Sequence, residues 1–415
     1  MIVAACQQEP TTTIGPDKDD DTFARRPSIA RLLRFAAVND PSDARHATNL
    51  ELFLDLVFVF AVTQITGYLS QDLAWPTIGR SLIISWLVWS LWAQFTWAGA
   101  AIDLQRDWHA RLIVLISIPV TLVLVIAVPR AYDDLGPWFG GAYFVVQALV
   151  LTMQGWTAVA NPVTRRSFLQ FSAIASISPM LVLIGGFIDG NGRVLLWGIS
   201  ATLFIVAGLI GARGEWAINP SHFVERHGLF VIIALGEVLV AIGAAANEAG
   251  LNATVLLGVL VCAAGACVYW WTYFAFLPNV CEHVLNENHG ARRAQLARDL
   301  LTFGHFPIVG GIIAYSVVVH HVTPNPTESL AVPYRALLAA SVVLILCSYL
   351  HTQFRVVHRL ARERIIAVVA TVALCAGGGA LPAWSLVALI VTMLTAMQAV
   401  TYRNFRNGGL AYLTT

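Results

Sequence analysis

Long apolar runs dominate this sequence, and their length constrains the fold more than any other feature. Twelve runs approach the roughly 20 residues that a helix needs to cross a bilayer core. They cover residues 48–70, 78–102, 109–129, 138–160, 167–188, 194–213, 222–246, 253–277, 299–321, 333–353, 364–381 and 383–402, numbered here as spans 1 to 12. Charged residues make up only 12% of the chain, against about 25% in soluble domains. We therefore predict an all-α integral membrane protein with about 12 transmembrane helices. Because only GGGALP at 377–382 separates the last two runs, a re-entrant hairpin is the alternative there.

Positive charge is distributed unevenly among the connections, and this predicts the orientation. Of the 25 Lys and Arg residues, all but Arg80, Arg130, Arg193 and Arg335 lie in the N-terminal segment, in every second connection or in the C-terminal tail. Cytoplasmic connections retain positive charge. Both termini are therefore predicted to be cytoplasmic, which requires an even number of spans. We expect a multi-pass protein of the bacterial inner (cell) membrane.

Composition divides the chain into four parts. Residues 1–45 form a polar cytoplasmic segment, predicted to be disordered at first and then to form a short amphipathic helix at 28–35. A first six-helix half is predicted at 46–213 and a second at 214–402. Residues 403–415 form a cytoplasmic tail.

Similar features recur six spans apart along the chain. The aromatic-rich run at 268–276 resembles the run at 89–97, and Gln64 and Glu237 both lie near the middle of their spans. An interval of six spans keeps the two copies in the same orientation. We therefore predict two parallel six-helix repeats, as in transporters built from two like halves.

Span 1 carries two carboxylates in a strongly apolar run, ELFLDLVFVFAVTQIT at 51–66. Glu51 and Asp55 lie about 40° apart around a helix and roughly 6 Å apart along its axis, while Gln64 lies on the opposite face. Such a helix presents polar groups to two sides, so we expect it to be central. The candidate members of a cytoplasmic ion-pair cluster are Glu51, Asp55, Arg111, Glu225, Arg226, His227 and Arg298. Structural ion pairing and a gated cytoplasmic mouth are both open interpretations.

Glu237 is the principal candidate for a functional site. It lies eleven residues beyond Arg226, or about 16 Å along a helix, so it is near the bilayer midplane if Arg226 marks the interface. A carboxylate there is costly and usually faces a cavity or a partner. His305, about 10 Å inside its span by the same count from Arg298, suits a proton relay with Glu237. The alternatives are a Glu that only holds helices together and a neutral, hydrogen-bonded histidine. We expect Glu237, His305, Gln64, Trp89 and Trp97 to line one coupling and substrate cavity.

The motifs of spans 1 and 7 carry a resemblance to a known family. ELFLDLVFVFA at 51–61, with ERHGLF at 225–230 and LGE at 235–237, resembles the low temperature requirement protein A (LtrA) family of bacterial membrane proteins. The tryptophan-rich run at 89–97, WWTYF at 270–274 and HFP at 305–307 extend the resemblance over residues 46–402. The family is named for a cold-growth phenotype. The resemblance therefore implies a polytopic membrane protein but no particular reaction or substrate.

Several function classes lack their signatures in this sequence. No Walker loop, dinucleotide fingerprint, HExxH, GxSxG or CxxC occurs, so no cofactor is expected and catalytic residues are not assigned. No metal site is expected either, because His320 and His321 are adjacent, point about 100° apart and have no evident third ligand. The basic residues are scattered arginines, which argues against nucleic acid as a partner.

The expected partners are therefore the lipid bilayer and a small solute, and the oligomeric state is left open. The sequence favours a secondary transporter or permease of a small solute, with Glu237 as its coupling site. The first alternative is a membrane-embedded enzyme that acts on a lipid or isoprenoid-like substrate. The second alternative is a membrane scaffold or sensor.

The predicted orientation leads to a labelling test. In a background without the six native cysteines, Thr327→Cys should react with an impermeant thiol reagent outside intact cells. Thr12→Cys should react only after the cells are opened, because positive charge holds the N-terminal segment inside. External labelling of Thr12→Cys would contradict the orientation.

Overall fold

A computed structural model describes residues 46–160 and 162–408 of the chain. Residues 1–45, 161 and 409–415 lie outside the described residues. The predictions for the N-terminal segment, including its amphipathic helix at 28–35, and for the end of the C-terminal tail therefore concern residues that the structure does not describe. Within the described ranges the fold is all-helical, as predicted.

Each predicted apolar run corresponds to a helix in the structure. The spans formed by one uninterrupted α-helix are span 1 (Asn49–Gln71), span 2 (Trp75–Ala101), span 3 (Trp108–Ala127), span 4 (Gly136–Ala160), span 6 (Asn191–Gly211), span 7 (Pro220–Ala249), span 10 (Val332–Val357), span 11 (Arg362–Gly377) and span 12 (Ala383–Gly408). One turn of 3-10 helix follows span 3 at Val128–Arg130, and another follows span 11 at Gly378–Ala380.

Three spans are interrupted or extended, which the apolar pattern alone did not predict. Span 5 consists of Pro162–Ala175 and Ile177–Gly186, and span 8 (Ala253–Phe274) is followed by a further helix, Leu277–Glu287. Span 9 begins earlier than predicted. It consists of Gly290–Leu296, a π-helical segment at Ala297–Phe303, and Gly304–Val322. In a π segment the backbone hydrogen bonds join residues five apart instead of four. The turn is therefore wider, and a different set of carbonyls is bonded within the helix.

Eleven helices in the described ranges are long and apolar enough to cross a membrane. Span 2 is the predicted span outside that group, because its tryptophans and Gln94 score low on a hydropathy scale. Its 27 residues still extend about 40 Å, which exceeds a hydrocarbon core of about 30 Å. The last two spans each meet the length requirement, at Arg362–Ala380 and Ala383–Asn404, which favours two crossings over a re-entrant hairpin. A polytopic α-helical membrane fold is confirmed.

The helices pack in the same order in both predicted halves. Span 1 packs against spans 2 and 3, span 3 against span 4, span 4 against span 5, and span 6 against spans 5 and 2. Span 7 packs against spans 8 and 9, span 9 against span 10, span 10 against span 11, and span 12 against spans 11 and 8. The two series meet where spans 1 and 2 contact spans 7 and 9. Span 1 therefore lies at the junction of both series.

Close approach between spans 9 and 10 depends on one glycine. A Cβ atom at Gly311 would lie 2.6 Å from the backbone oxygen of Ser341 and 2.8 Å from Ile345 Cγ1. At the adjacent Gly310, the nearest atom to such a Cβ would be Leu344 Cδ1, at 3.9 Å. Small residues at contacts of this kind allow two helices to approach closely in a membrane.

Gly311→Ala should therefore destabilise the protein, whereas Gly310→Ala should not. Overpacking against backbone forces the two helices apart at a cost of about 1–3 kcal/mol. Thermal unfolding of the two variants in the same detergent would measure the difference. Equal melting temperatures for both variants would show that the spacing of spans 9 and 10 is not set at Gly311.

Candidate functional site

Two glutamates, Glu51 of span 1 and Glu225 of span 7, accept hydrogen bonds from backbone N–H groups at the start of span 1. The backbone N–H of Thr48 donates to Glu51 Oε2 at 2.8 Å, and the Glu51 N–H donates to Thr48 Oγ1 at 3.3 Å. This reciprocal capping box satisfies two helix-terminal donors. Glu225 of span 7 accepts from the backbone N–H of Ala47 at 3.0 Å. The beginning of span 1 is thus fixed against span 7 as well as capped.

One turn inside, Asp55 of span 1 binds Arg226 of span 7 in a bidentate ion pair. Arg226 Nη2 donates to Asp55 Oδ1 at 2.7 Å, and Arg226 Nη1 donates to Asp55 Oδ2. Trp92 of span 2 donates its indole N–H to the same Oδ1 at 2.8 Å. The Asp55 side chain is 0% exposed and that of Arg226 is 1% exposed. Planar, two-point pairing is the strong geometry for arginine and carboxylate.

Glu51 extends this network by one turn toward the start of the helix. His222 Nε2 lies 3.1 Å from the Glu51 carboxylate, and Arg226 Nε lies 3.8 Å from Glu51 Oε1. A Cβ atom at Gly99 of span 2 would lie 2.5 Å from Glu51 Oε1, so glycine at that position leaves room for the carboxylate. Glu51, Asp55, His222, Arg226 and Trp92 together form what we call the inter-span charge cluster.

Sequence reasoning did not identify His222 and Trp92 as members of this cluster. A signal for His222 was present, because His222 and Arg226 are four residues apart on one helix, as are Glu51 and Asp55 on the other. The contacts join residues that are 171 positions apart in both cases. Such matched spacing predicts two parallel helices in register. No comparable spacing indicates Trp92.

Two of the predicted arginines lie outside the cluster. Arg111 donates to the backbone oxygens of Leu104 at 3.2 Å and Gln105 at 2.5 Å. Arg298 pairs with Asp299, which also pairs with Arg355 of span 10. Among the described residues, Arg226 is the one of these three arginines that contacts the span 1 acids, and its side chain is buried between the helices.

Glu237 lies further along the contact between spans 1 and 7. The hydroxyl of Thr63 on span 1 donates to Glu237 Oε2 at 2.6 Å. The Glu237 residue is 7% exposed and lies near the middle of its 30-residue helix. Thr63, not Gln64, is therefore the span 1 residue that bonds Glu237. No Arg, Lys or His within the described ranges lies within ion-pair distance of the Glu237 carboxylate.

His305 lies at a different level from Glu237, so the expected relay between them is not observed. His305 packs on His227, with ring centroids 5.1 Å apart. Because His227 precedes Glu237 by ten residues, the two levels differ by about 15 Å. Both ring nitrogens of His305 have partners: Nδ1 lies 3.0 Å from the Leu300 backbone oxygen and Nε2 lies 2.8 Å from the Tyr273 hydroxyl. These contacts agree with the hydrogen-bonded histidine that the sequence left as an alternative to a relay.

The predicted single cavity is divided into separate spaces. Trp89 lines an apolar cavity of about 360 Å³ between spans 1, 2, 7 and 9. Trp97 lines a cleft of about 450 Å³ between span 9 and spans 2, 4, 5 and 6. Neither space is lined by Glu237, His305 or Gln64. Both tryptophans donate their indole N–H to Thr302 of the π segment, Trp89 to its backbone oxygen at 2.8 Å and Trp97 to its hydroxyl at 2.9 Å.

The fold and its buried charge cluster define a polytopic α-helical membrane protein whose first and seventh spans are joined by ion pairs. The sequence model of the bacterial low temperature requirement A protein (LtrA) family matches residues 46–399, and the chain belongs to that family. A curated relative is the uncharacterized protein RA0937 of Rhizobium meliloti (strain 1021). The two sequences are 30% identical over 314 residues, which cover 71% of this chain and 72% of the relative. No solved structure matches the chain significantly.

The charge cluster should be a strong determinant of stability. Asp55→Ala leaves the Arg226 guanidinium buried without its main partner, and loss of one member of a buried pair costs about 3–5 kcal/mol. The double variant Asp55→Ala, Arg226→Ala should lose clearly less than the sum of the two single variants. Chemical or thermal unfolding of purified protein would measure the three values.

Arg111→Ala is the matched control, because it removes an exposed arginine that bonds only nearby backbone among the described residues. Its effect should stay within about 0.5 kcal/mol. Additive losses in the double variant, or a loss in Arg111→Ala as large as that in Asp55→Ala, would contradict the assigned pairing.

Proposed function

We propose that this LtrA family member is a secondary transporter of a small solute, with Glu237 as the residue that couples solute movement to a proton or cation. In this proposal the two halves, 46–213 and 214–402, move relative to each other, and spans 1 and 7 form their central contact. The observation that carries the proposal is the buried Glu237 carboxyl at that contact, bonded to a neutral hydroxyl.

The geometry of spans 1 and 7 supports two parallel halves. The cross-span contacts pair Glu51 with His222, Asp55 with Arg226, and Thr63 with Glu237, so the residue numbers rise together along both helices. Helices that contact in this way run in the same direction. Together with the shared packing order of the two series, the parallel direction supports the proposal of a transporter built from two like halves.

The surroundings of Glu237 support a coupling role over a purely structural one. The carboxylates of Glu51 and Asp55 each contact a buried basic side chain, so their charge is compensated within the protein. Glu237 instead contacts Thr63, which can donate to a carboxylate and can also accept from a protonated carboxyl. A carboxyl with such a partner can gain or lose a proton without breaking an ion pair. Ionisable groups of this kind in membrane spans usually serve ion or substrate pathways.

An embedded enzyme is less well supported by the same contacts. Such an enzyme would need acids and histidines gathered at one membrane face, and Glu51, Asp55, Glu225 and His227 are the candidates for that role. Asp55 is fully buried and bonded to both Arg226 and Trp92, and Glu51 is bonded to Thr48 and His222. His227 is fully buried and packs against the rings of Trp92 and His305. Of these candidates Glu225 is the one with a partly exposed carboxylate, and that carboxylate accepts a hydrogen bond from the Ala47 N–H at the start of span 1.

Glu237→Gln should abolish pH-dependent transport while the protein still inserts and folds. Glutamine keeps the shape and can still accept from Thr63, but it does not titrate. Purified parent and variant would be reconstituted into vesicles with an imposed pH gradient. Proton flux would be followed with a pH-sensitive dye while a broad panel of small solutes is supplied.

Glu248→Gln is the matched control, since it removes an exposed carboxylate from the end of the same span. It should behave like the parent. If the parent moves protons with a solute and Glu237→Gln does so equally well, Glu237 is structural. If the parent moves no solute of the panel and Glu237→Gln only lowers thermal stability, a scaffold or sensor becomes the better assignment.

A further inference from the structure

A second cleft, of about 600 Å³, lies within the second series of helices, away from the contact between spans 1 and 7. Spans 8, 10, 11 and 12 line it near the ends of their helices that are predicted to face the cytoplasm. Its walls combine apolar and polar side chains. The lining residues are Thr272, Phe276, Leu277, Val280, Tyr349, Thr352, Gln353, Val356, Val357, Arg364 and Thr401.

Three hydroxyl groups in this cleft are buried without a hydrogen-bond partner among the described residues. They belong to Tyr349 and Thr352 of span 10 and to Thr401 of span 12. The three residues are 3%, 3% and 4% exposed, respectively. Burying an unbonded hydroxyl is costly, and most threonines in membrane helices avoid that cost by donating to a carbonyl one turn back. Thr272 of the same cleft does so, through Val268. Thr66, Ser81, Ser316 and Thr323 also carry buried hydroxyls without a partner among the described residues, but Tyr349, Thr352 and Thr401 are gathered around one cleft, where a bound ligand would satisfy them.

The charged, polar and apolar groups around this cleft indicate the kind of ligand that fits it. Arg364, in the first turn of span 11, lines the cleft, and its guanidinium carbon lies 5.8 Å from the centroid of the Tyr349 ring. A guanidinium and three hydroxyl donors together suit an oxyanion such as a phosphate. The remaining wall, formed by Phe276, Val280 and Val356, suits a hydrocarbon chain. One end of the ligand is thus acidic and the other is apolar.

We propose that this cleft binds an acidic membrane lipid of the cytoplasmic leaflet. The phosphate of its headgroup accepts hydrogen bonds from Tyr349, Thr352 and Thr401 and lies beside Arg364, while an acyl chain packs along Phe276 and Val356. Basic pockets between transmembrane helices on the cytoplasmic side are typical sites for anionic headgroups. This site is independent of Glu237 and of any transported solute.

The test measures lipid binding to the full chain purified in a neutral detergent. Phosphatidylglycerol, phosphatidylcholine and inorganic phosphate would be titrated separately, with thermal unfolding as the readout and native mass spectrometry to count bound lipid. We expect phosphatidylglycerol to raise the melting temperature of the parent well above the effect of the net-neutral phosphatidylcholine. Thr352→Val and Thr401→Val keep the side-chain volume, and each should weaken phosphatidylglycerol binding about ten-fold, as expected for a lost hydrogen bond to a charged group.

Arg364→Gln should weaken phosphatidylglycerol binding further, whereas Arg362→Gln is the matched control. Arg362 lies two residues earlier in the same helical turn, is exposed and does not line the cleft. Equal losses in Arg364→Gln and Arg362→Gln would overturn the site in favour of general surface attraction. Unchanged binding in both threonine variants would overturn it as well, and so would a parent that responds to inorganic phosphate but not to phosphatidylglycerol. If Arg364→Gln does not fold, the two threonine variants decide the outcome.

Discussion

The two helical series meet at spans 1 and 7, and the contact between these spans depends on the ion pair between Asp55 and Arg226. In a membrane interior neither group is tolerated alone, because an unpaired charge there costs several kcal/mol, whereas a bidentate pair compensates both. The pair therefore allows only one register between spans 1 and 7. In that register Glu51 meets His222 one turn earlier, and Thr63 meets Glu237 about two turns later. A shift by a single residue would separate all three contacts at once.

A second constraint comes from the π segment of span 9. The wider turn alters the bonding of backbone carbonyls inside the membrane, where no water is available to satisfy them. Other side chains bond two of those carbonyls. The His305 ring bonds the backbone oxygen of Leu300, and the Trp89 indole N–H donates to the backbone oxygen of Thr302. Trp89 belongs to the first series and Thr302 to the second, so the irregular segment also joins the two series. This accounts for a tryptophan far from the interfacial positions where that residue is usually found.

The sequence predicted the fold well because the physical rule behind the prediction is local. A run of about 20 apolar residues must form a helix in a bilayer, whatever its neighbours are, so the spans followed from composition alone. The site was predicted only in part, because pairing depends on which helices and which helix faces are neighbours, and hydropathy does not give this. Arg111, Arg226 and Arg298 all begin apolar runs, yet of these three only Arg226 pairs with Asp55. Hydropathy likewise did not indicate that His305 packs on His227 rather than near Glu237, and the π segment of span 9 had no signature in the apolar pattern.

The presence or absence of a hydrogen-bond partner distinguishes a structural polar group from a ligand-binding one better than burial alone does. The cleft beside Trp97 and the cleft beside Tyr349 occupy comparable places in the two series. In the first, Gln94 bonds Gln147 and Trp97 bonds Thr302, so the polar side chains stabilise the helices around them. In the second, the hydroxyls of Tyr349, Thr352 and Thr401 have no such partners among the described residues. Packing order depends on extended apolar faces and small residues, whereas ligand chemistry depends on a few donors. The two series therefore share one framework while the polar groups around their corresponding clefts differ. At the contact between the two series, Glu237 likewise stands apart from the paired acids of span 1, because its partner is a neutral hydroxyl.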